Sequence, residues 1–141
     1  MARVLIVGCG CRGQALAREL VAAGHAVRGT TRDPAKRDTI AAVGAEPYVG
    51  DPDRIATLMD ALTGVTVVCW LLGTVREPAL HGPRLRMLFE KLVDTPVRGV
   101  AYEGLEGAPI AREAGERWHI PVELLPPGDD PRPAVNRLLG L

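Results

Sequence analysis

Residues 3–32 decide the fold of this chain and read RVLIVGCGCRGQALARELVAAGHAVRGTTR. Residues 3–7 form a short, continuously apolar, β-branched run after the first arginine, which is typical of a strand covered on both faces. A glycine-rich turn follows, apolar side chains then recur at helical spacing until Gly24, and residues 26–30 again have the composition of a strand. Strand, turn, helix and strand in this order predict one βαβ unit.

The rest of the chain continues the alternation of strands and helices. Further strands are predicted at residues 46–49, 65–72, 97–102 and 121–125. Helices are predicted at residues 12–23, 34–43, 55–62, 85–92, 110–118 and 134–139. Such an alternation is typical of a parallel sheet with helices on both faces. We therefore predict an α/β, three-layer, doubly wound Rossmann fold with a parallel six-stranded sheet in the order 3-2-1-4-5-6.

The composition is that of a soluble globular domain. Hydrophobic residues make up 47% of the 141 residues, and 17 basic side chains balance 17 acidic ones. No basic stripe favours nucleic acid and no polybasic segment favours a membrane surface, so we expect neither partner and a cytoplasmic location. The cysteines, Cys9, Cys11 and Cys69, have no zinc-ligand spacing and are odd in number, so we expect neither a metal site nor a disulfide framework.

The turn carries the spacing G-x-G-x-x-G at Gly8, Gly10 and Gly13. Gly8 would allow the tight turn, Gly10 would let the backbone approach a pyrophosphate, and Gly13 would let the helix pack close to the sheet. The positive end of the helix at residues 12–23 would then face the phosphates. A buried strand before the turn and a helix after it favour a dinucleotide site over a turn that binds nothing.

The end of the second predicted strand indicates which dinucleotide binds. An NAD site usually has an acidic residue there, whereas this chain has Thr31 and Arg32. Arg32 could make a bidentate contact to a 2′-phosphate, with the Thr31 hydroxyl beside it, or it could be a solvated arginine. The missing carboxylate favours NADP over NAD. Cys11 and Arg12 complete the predicted site in the turn, and Arg12 is left open between a phosphate contact and solvent.

These residues resemble the short-chain dehydrogenase/reductase superfamily, in the atypical and extended branches that hold epimerase-like and NmrA-like NAD(P)-binding proteins. The resemblance rests on residues 4–32, on YVGDPDRIATLMDALTGVTVVCWLLGT at residues 48–74 and on IPVELLPPG at residues 120–128. In such families an aspartate after the third strand contacts the adenine, which implies Asp51 here. The end of the fourth strand lies against the adenosine ribose, which implies Leu72 and Gly73.

The resemblance also shows where this chain departs from active reductases. Those enzymes carry a serine or threonine after the fifth strand and a Tyr-x-x-x-Lys, whose lysine lowers the pKa of the tyrosine. Here Tyr102 is followed four residues later by Glu106, and a carboxylate raises the pKa of a tyrosine. We expect Tyr102 to pack in the sheet. The substrate half also follows the string at residues 120–128 in relatives, so we predict one NAD(P)-binding domain over residues 1–141 without a separate substrate domain.

Two pairs of ionisable side chains could still act on a substrate, one of a histidine and a glutamate and one of two glutamates. His81 and Glu77 lie in the predicted loop after the fourth strand, at the sheet edge where ligands bind, although an exposed loop histidine is the commoner case. Glu103 and Glu106 flank the same edge after the fifth strand and could form an acid/base pair, although solvated loop carboxylates are commoner. The catalytic residues are therefore left unknown.

The sequence leaves three functions open. The first is an NADP(H)-binding module or sensor without its own redox chemistry, which the missing Ser/Tyr/Lys set favours. The second is an NADP-dependent oxidoreductase or epimerase-like enzyme whose pocket is completed by oligomerisation, since hydride transfer belongs to the cofactor and needs mainly positioning. A homodimer would fit that alternative. The third is a structural domain whose glycine-rich turn is empty.

Overall fold

The computed structural model describes residues 2–140 and has one six-stranded sheet. The strands are β1 (Arg3–Val7), β2 (Ala26–Thr31), β3 (Glu46–Val49), β4 (Val67–Trp70), β5 (Val100–Glu103) and β6 (Val122–Leu125). They lie in the order β3-β2-β1-β4-β5-β6, and every neighbouring pair is parallel. The predicted strand order is confirmed, and it brings the carboxyl ends of all these strands to one edge.

Helices cover both faces of the sheet, as predicted for a three-layer fold. One face packs against α1 (Cys11–Ala22), α2 (Arg37–Ala42) and α5 (Arg132–Leu138), and the other against α3 (Pro83–Leu92) and α4 (Ala108–Trp118). Alternate residues of β1 supply the two cores: Val4 and Ile6 belong to the first, Leu5 and Val7 to the second. All four are fully buried, which explains why this strand is apolar without alternation.

Residues 55–62 do not form the predicted α-helix. They form two 3₁₀ turns, Ile55–Leu58 and Asp60–Leu62, whose backbone bonds join residues three apart. Arg28 of β2, with only 9% of its surface exposed, donates to the carbonyl oxygens of Ala61 (3.0 Å) and Thr63 (2.5 Å). Apolar residues spaced three and four apart suit either helix type, so their periodicity could not separate them.

Among the strands, the bounds of β4 and β5 differ most from the prediction. β4 is confined to Val67–Trp70, although the apolar residues on either side of it are buried as well. β5 begins and ends later than predicted and includes Glu103 as its last residue. The later end of β5 matters for the site, because Glu103 then belongs to an inner strand, whose residues are covered by the neighbouring strands. Among residues 2–140, no helix has the length and apolar character needed to cross a membrane.

Candidate functional site

The glycine-rich turn between β1 and α1 is fixed by the end of β2. Gly8 has a φ of 88°, a conformation that favours glycine, and a Cβ at this position would lie 2.7 Å from the Leu71 carbonyl oxygen. The Gly8 N–H donates to the hydroxyl oxygen of Thr30 (3.3 Å), and the Cys9 N–H donates to the carbonyl oxygen of the same residue (3.1 Å). Thr30 therefore holds the turn in place from the neighbouring strand.

The amino end of α1 is open. The first N–H groups of an α-helix have no partner within the helix, and no side chain of the described residues caps this one. Gly10, the residue before the helix, has extended backbone angles, and a Cβ built on it would meet nothing within 4 Å. Gly13 lies against the sheet, where a Cβ would be 3.1 Å from Ile6 Cγ2. Gly8 in the tight turn and Gly13 in the contact between helix and sheet thus have the structural roles predicted for them.

A cleft of about 500 Å³ opens beside this helix end, at the carboxyl edge of the sheet. Eight of the ten predicted cofactor residues line it: Gly8, Gly10, Cys11, Arg12, Gly13, Thr31, Arg32 and Leu72. Asp51 and Gly73 are not among the lining residues, although Gly50, Pro52 and Leu72 beside them are. The structure thus brings most of the predicted residues together around one space that begins at a helix amino end, the usual place for a phosphate group.

Arg32 lies on the wall of this cleft between two carboxylates. Its guanidinium donates to both oxygens of Glu77 (2.8 and 3.0 Å), and its Nε lies 3.0 Å from an Asp51 oxygen. The Glu77 hydrogen bond raises the pKa of Arg32 and lowers that of Glu77. Both side chains remain about two-fifths exposed, so the pair is a surface ion pair, a class of contact that contributes little to stability.

Lys36 lines the same wall of the cleft and is missing from the sequence-derived site. It ends the 3₁₀ turn Pro34–Lys36, which Asp33 caps by accepting from the Ala35 N–H at 3.0 Å. The sequence carries a signal for this residue, because Lys36 is one of two lysines in the chain and follows Arg32 by four residues. The cleft therefore carries two cationic side chains at the end of β2.

Arg12 lines the cleft, and it also makes a contact that neither of its two predicted roles included. Its guanidinium makes a two-pronged ion pair with Glu103 at the end of β5, with Nη2 lying 2.8 Å from Oε1. The same carboxylate accepts from the N–H of Gly73 (2.8 Å) and of Gly128 (2.9 Å). We call this group, Arg12, Glu103, Gly73 and Gly128, the Glu103 latch, because it joins α1 to the segments after β4 and β6.

The alternatives considered for Glu103 were therefore wrong. Its side chain is fully buried, and its partner is Arg12 rather than Glu106, which is exposed. Burial by itself raises the pKa of a carboxyl group, but the hydrogen bonds from Arg12, Gly128 and Gly73 outweigh it and leave the pKa of Glu103 below its usual value. Each oxygen of this carboxylate thus accepts from Arg12 and from one backbone N–H, that of Gly73 or Gly128.

His81 is buried rather than exposed, and it does not pair with Glu77. Its Nδ1 lies 2.6 Å from the Tyr102 hydroxyl and its Nε2 lies 3.2 Å from the Val75 carbonyl oxygen. The Gly107 N–H donates to the same hydroxyl at 3.0 Å. One tautomer satisfies every group: the hydroxyl donates to Nδ1 and Nε2–H donates to Val75. Burial raises the pKa of Tyr102, as expected for a packed rather than a reacting tyrosine.

We expect Tyr102→Phe to destabilise the protein by about 1–3 kcal/mol, because the change leaves the Gly107 N–H and His81 Nδ1 buried without a partner. Urea denaturation measures the free energy of unfolding. Tyr48→Phe is the matched control, since Tyr48 is only half-buried on β3. Equal stabilities for the two variants would show that the buried hydroxyl contributes nothing.

The two cysteines of the turn occupy different environments. Cys9 is buried beside Gly29, and burial raises the pKa of its thiol to about 11; Cys69 in β4 is also buried, with a pKa of about 12. Cys11 is exposed and lines the cleft. Its thiol is therefore the one that a reagent in solution reaches first, and its alkylation rate can report occupancy of the cleft.

Comparisons with known proteins agree with this geometry. The sequence model of a family described as NAD(P)H-binding matches residues 8–98, which is more than half of the chain. A comparison with curated proteins gives no match. Among solved structures, a short-chain dehydrogenase/reductase superfamily protein from Agrobacterium tumefaciens with bound NAD is 25% identical, with a TM-score of 0.57 over 72% of this chain and 32% of that one.

Two further solved structures share the fold at lower identity. Triphenylmethane reductase from Citrobacter sp., complexed with NADP(H), is 20% identical and gives a TM-score of 0.67, covering 86% of this chain and 48% of that one. UDP-glucuronic acid 4-epimerase from Bacillus cereus is 14% identical and gives 0.72, covering 88% and 55%. This chain therefore spans between about a third and just over half the length of these neighbours. The last two structures show the shared fold, and the 25% identical protein confirms the resemblance to the short-chain dehydrogenase/reductase superfamily.

Proposed function

Because the chain belongs to the NAD(P)H-binding family, we propose that it holds NADP(H) in the 500 Å³ cleft and acts as a binding module without acid/base residues of its own. The observation that carries this proposal is the uncapped amino end of α1, which opens onto the cleft with free space in front of Gly10. Unpaired N–H groups and the positive helix end suit a pyrophosphate. Calorimetric titration with NADPH and NADH tests the proposal.

The preference for NADP over NAD rests on the charges at the end of β2. Arg32 and Lys36 both line the wall where the adenosine ribose would lie, and β2 ends in Thr31 rather than in the carboxylate usual for an NAD site. The nearby Asp33, which also lines the cleft, accepts from the Ala35 N–H. A 2′-phosphate carries more charge than the Glu77 carboxylate that now pairs with Arg32. Since that pair is exposed and weak, the phosphate can take the place of Glu77.

We expect Arg32→Ala to weaken NADPH binding by about 10-fold to 100-fold and to change NADH binding by less than about 3-fold, because the lost charge-assisted bond serves the 2′-phosphate alone. Calorimetric titration with both nucleotides measures the ratio of the two affinities. Equal weakening of NADPH and NADH would contradict a 2′-phosphate contact.

Glu77→Gln is the matched opposite of this variant. It removes the carboxylate that competes for Arg32 while keeping the size of the side chain, so NADPH affinity should rise by about 2-fold to 5-fold and NADH affinity should stay unchanged. Glu77 lies in the loop after β4 with about two-fifths of its side chain exposed, and it belongs to neither core, so its replacement leaves the core intact.

The module part of the proposal is supported by the residues at the end of β5. Tyr102 and Glu103 are both fully buried, bonded to His81 and to Arg12 respectively, and neither lines the cleft. NADPH oxidation with a panel of carbonyl and quinone substrates should stay at background. Turnover would instead favour the second candidate, an NADP-dependent oxidoreductase or epimerase-like enzyme, to which the enzymes named among the neighbours point.

That second candidate needs a pocket completed by another copy of the chain. A solution mass measurement, made with and without NADPH, separates the two candidates further. A homodimer that turns over substrate would support the shared pocket, whereas a monomer with background turnover would support the module.

A further inference from the structure

A doubly wound sheet offers a dinucleotide two halves of its carboxyl edge. The dinucleotide crosses the edge where the strand order reverses, so each half of the sheet receives one mononucleotide. In this chain the reversal lies between β1 and β4. The half with β1, β2 and β3 carries the glycine-rich turn and the side of the cleft lined by Arg32 and Lys36. The half with β4, β5 and β6 would therefore have to receive the nicotinamide.

The Glu103 latch occupies that second half. Glu103 is fully buried between the ends of β4 and β6, and its two oxygens accept from Arg12, Gly73 and Gly128. The side chain lies directly on the backbone after β4, because a Cβ on Gly73 would be 2.6 Å from Glu103 Cγ. The N–H groups of Gly73 and Gly128, which could otherwise bind a ligand, already donate to this carboxylate.

The shape of the cleft agrees with this. The half with β4, β5 and β6 contributes to it only through the segment directly after β4, from Leu71 to Val75, and the described segments after β5 and β6 contribute nothing. On the other side of Arg12 lies a smaller space of about 280 Å³, between α1 and the segment after β6. Its lining includes the carboxylates of Glu19, Asp129 and Asp130, which disfavour a second phosphate.

We propose that this chain recognises only the adenosine–pyrophosphate half of its dinucleotide and that the Glu103 latch keeps the nicotinamide out of the fold. This inference rests on the proposed function and narrows it. The nicotinamide ring of a bound dinucleotide would extend into solvent or toward a partner, beyond Arg12. Any redox chemistry of that ring would then depend on groups outside the cleft.

The test compares each nucleotide with the same molecule lacking its nicotinamide. Calorimetry on the full chain measures the Kd of NADPH against 2′-phospho-ADP-ribose, and of NADH against ADP-ribose, with reduced nicotinamide mononucleotide alone as the third ligand. We expect members of each pair to agree within about 3-fold, reduced nicotinamide mononucleotide not to bind, and the emission maximum of NADPH to stay where it is in water.

Alkylation of Cys11 gives a second readout, because this exposed thiol lines the cleft on the helix end. NADPH and 2′-phospho-ADP-ribose should slow it equally. A dinucleotide that binds more than about 10-fold tighter than its fragment, with blue-shifted emission, would overturn the inference and leave the proposed function standing. Absence of binding by every nucleotide and fragment would overturn both.

Discussion

Glu103→Ala should destabilise the protein by about 3 kcal/mol, the lower end of the range for removing one partner of a buried ion pair. The change leaves the N–H groups of Gly73 and Gly128 without an acceptor. Arg12 keeps about a third of its side chain in solvent and can turn toward water, which is why the upper end of the range does not apply. Urea denaturation at pH 7 measures the loss.

Glu106→Ala is the control for this variant, because Glu106 lies on the same segment, is exposed and carries the same charge. We expect it to change the free energy of unfolding by less than about 0.5 kcal/mol. Similar losses for the two variants would show that the Glu103 latch contributes no more than net charge does.

The pH dependence of this effect has a defined sign. The folded-state pKa of Glu103 is lower than its unfolded value, so the ionised carboxylate stabilises the fold fully above the unfolded pKa of roughly 4.3. That contribution falls away as the pH drops through the folded-state pKa. The stability gap between the native protein and Glu103→Gln should therefore be largest near pH 7 and shrink below about pH 4.

The fold could be predicted because its signals are local. The apolar run of β1, the spacing of the three glycines and the glycines that end α1 and α2 each act within a few residues. Even the strand order follows from the alternation of elements and from the rules for crossovers. The segment at residues 55–62 could not be predicted in the same way, because its 3₁₀ geometry is set partly by Arg28, which is distant in sequence.

The part of the site formed by the ends of β1 and β2 could be predicted from the sequence, and the part at the end of β5 could not. The glycine-rich turn and Arg32 belong to one βαβ unit, in which the spacing of a motif indicates directly where its residues lie. The Glu103 latch joins residues 91 apart in the chain, and no local pattern shows that the last residue of β5 faces Arg12. His81 was misplaced for the same reason, since its partner Tyr102 lies in β5, 21 residues further along the chain.

Gly10→Asp should abolish nucleotide binding without weakening the fold, and this is the sharpest test of the phosphate site. Gly10 has extended backbone angles that an aspartate can adopt, and the space in front of it is empty. An aspartate at this position caps α1 and suits the positive helix end, so the free energy of unfolding should stay equal or rise by about 1 kcal/mol. The same carboxylate fills the place of a pyrophosphate and repels it, so NADPH affinity should fall by at least about 100-fold.

Gly10→Asn separates charge from size, because asparagine caps a helix about as well as aspartate and has nearly the same volume. Crowding alone should weaken NADPH binding in both variants, and the negative charge should add a further loss of about 10-fold or more in the aspartate protein. Raising the salt concentration should narrow the gap between them, since screening acts on the charge and not on the volume. If the Gly10→Asp protein is stable and still binds NADPH like the native chain, the phosphates do not bind at the amino end of α1. The adenosine–pyrophosphate half then does not lie in this cleft.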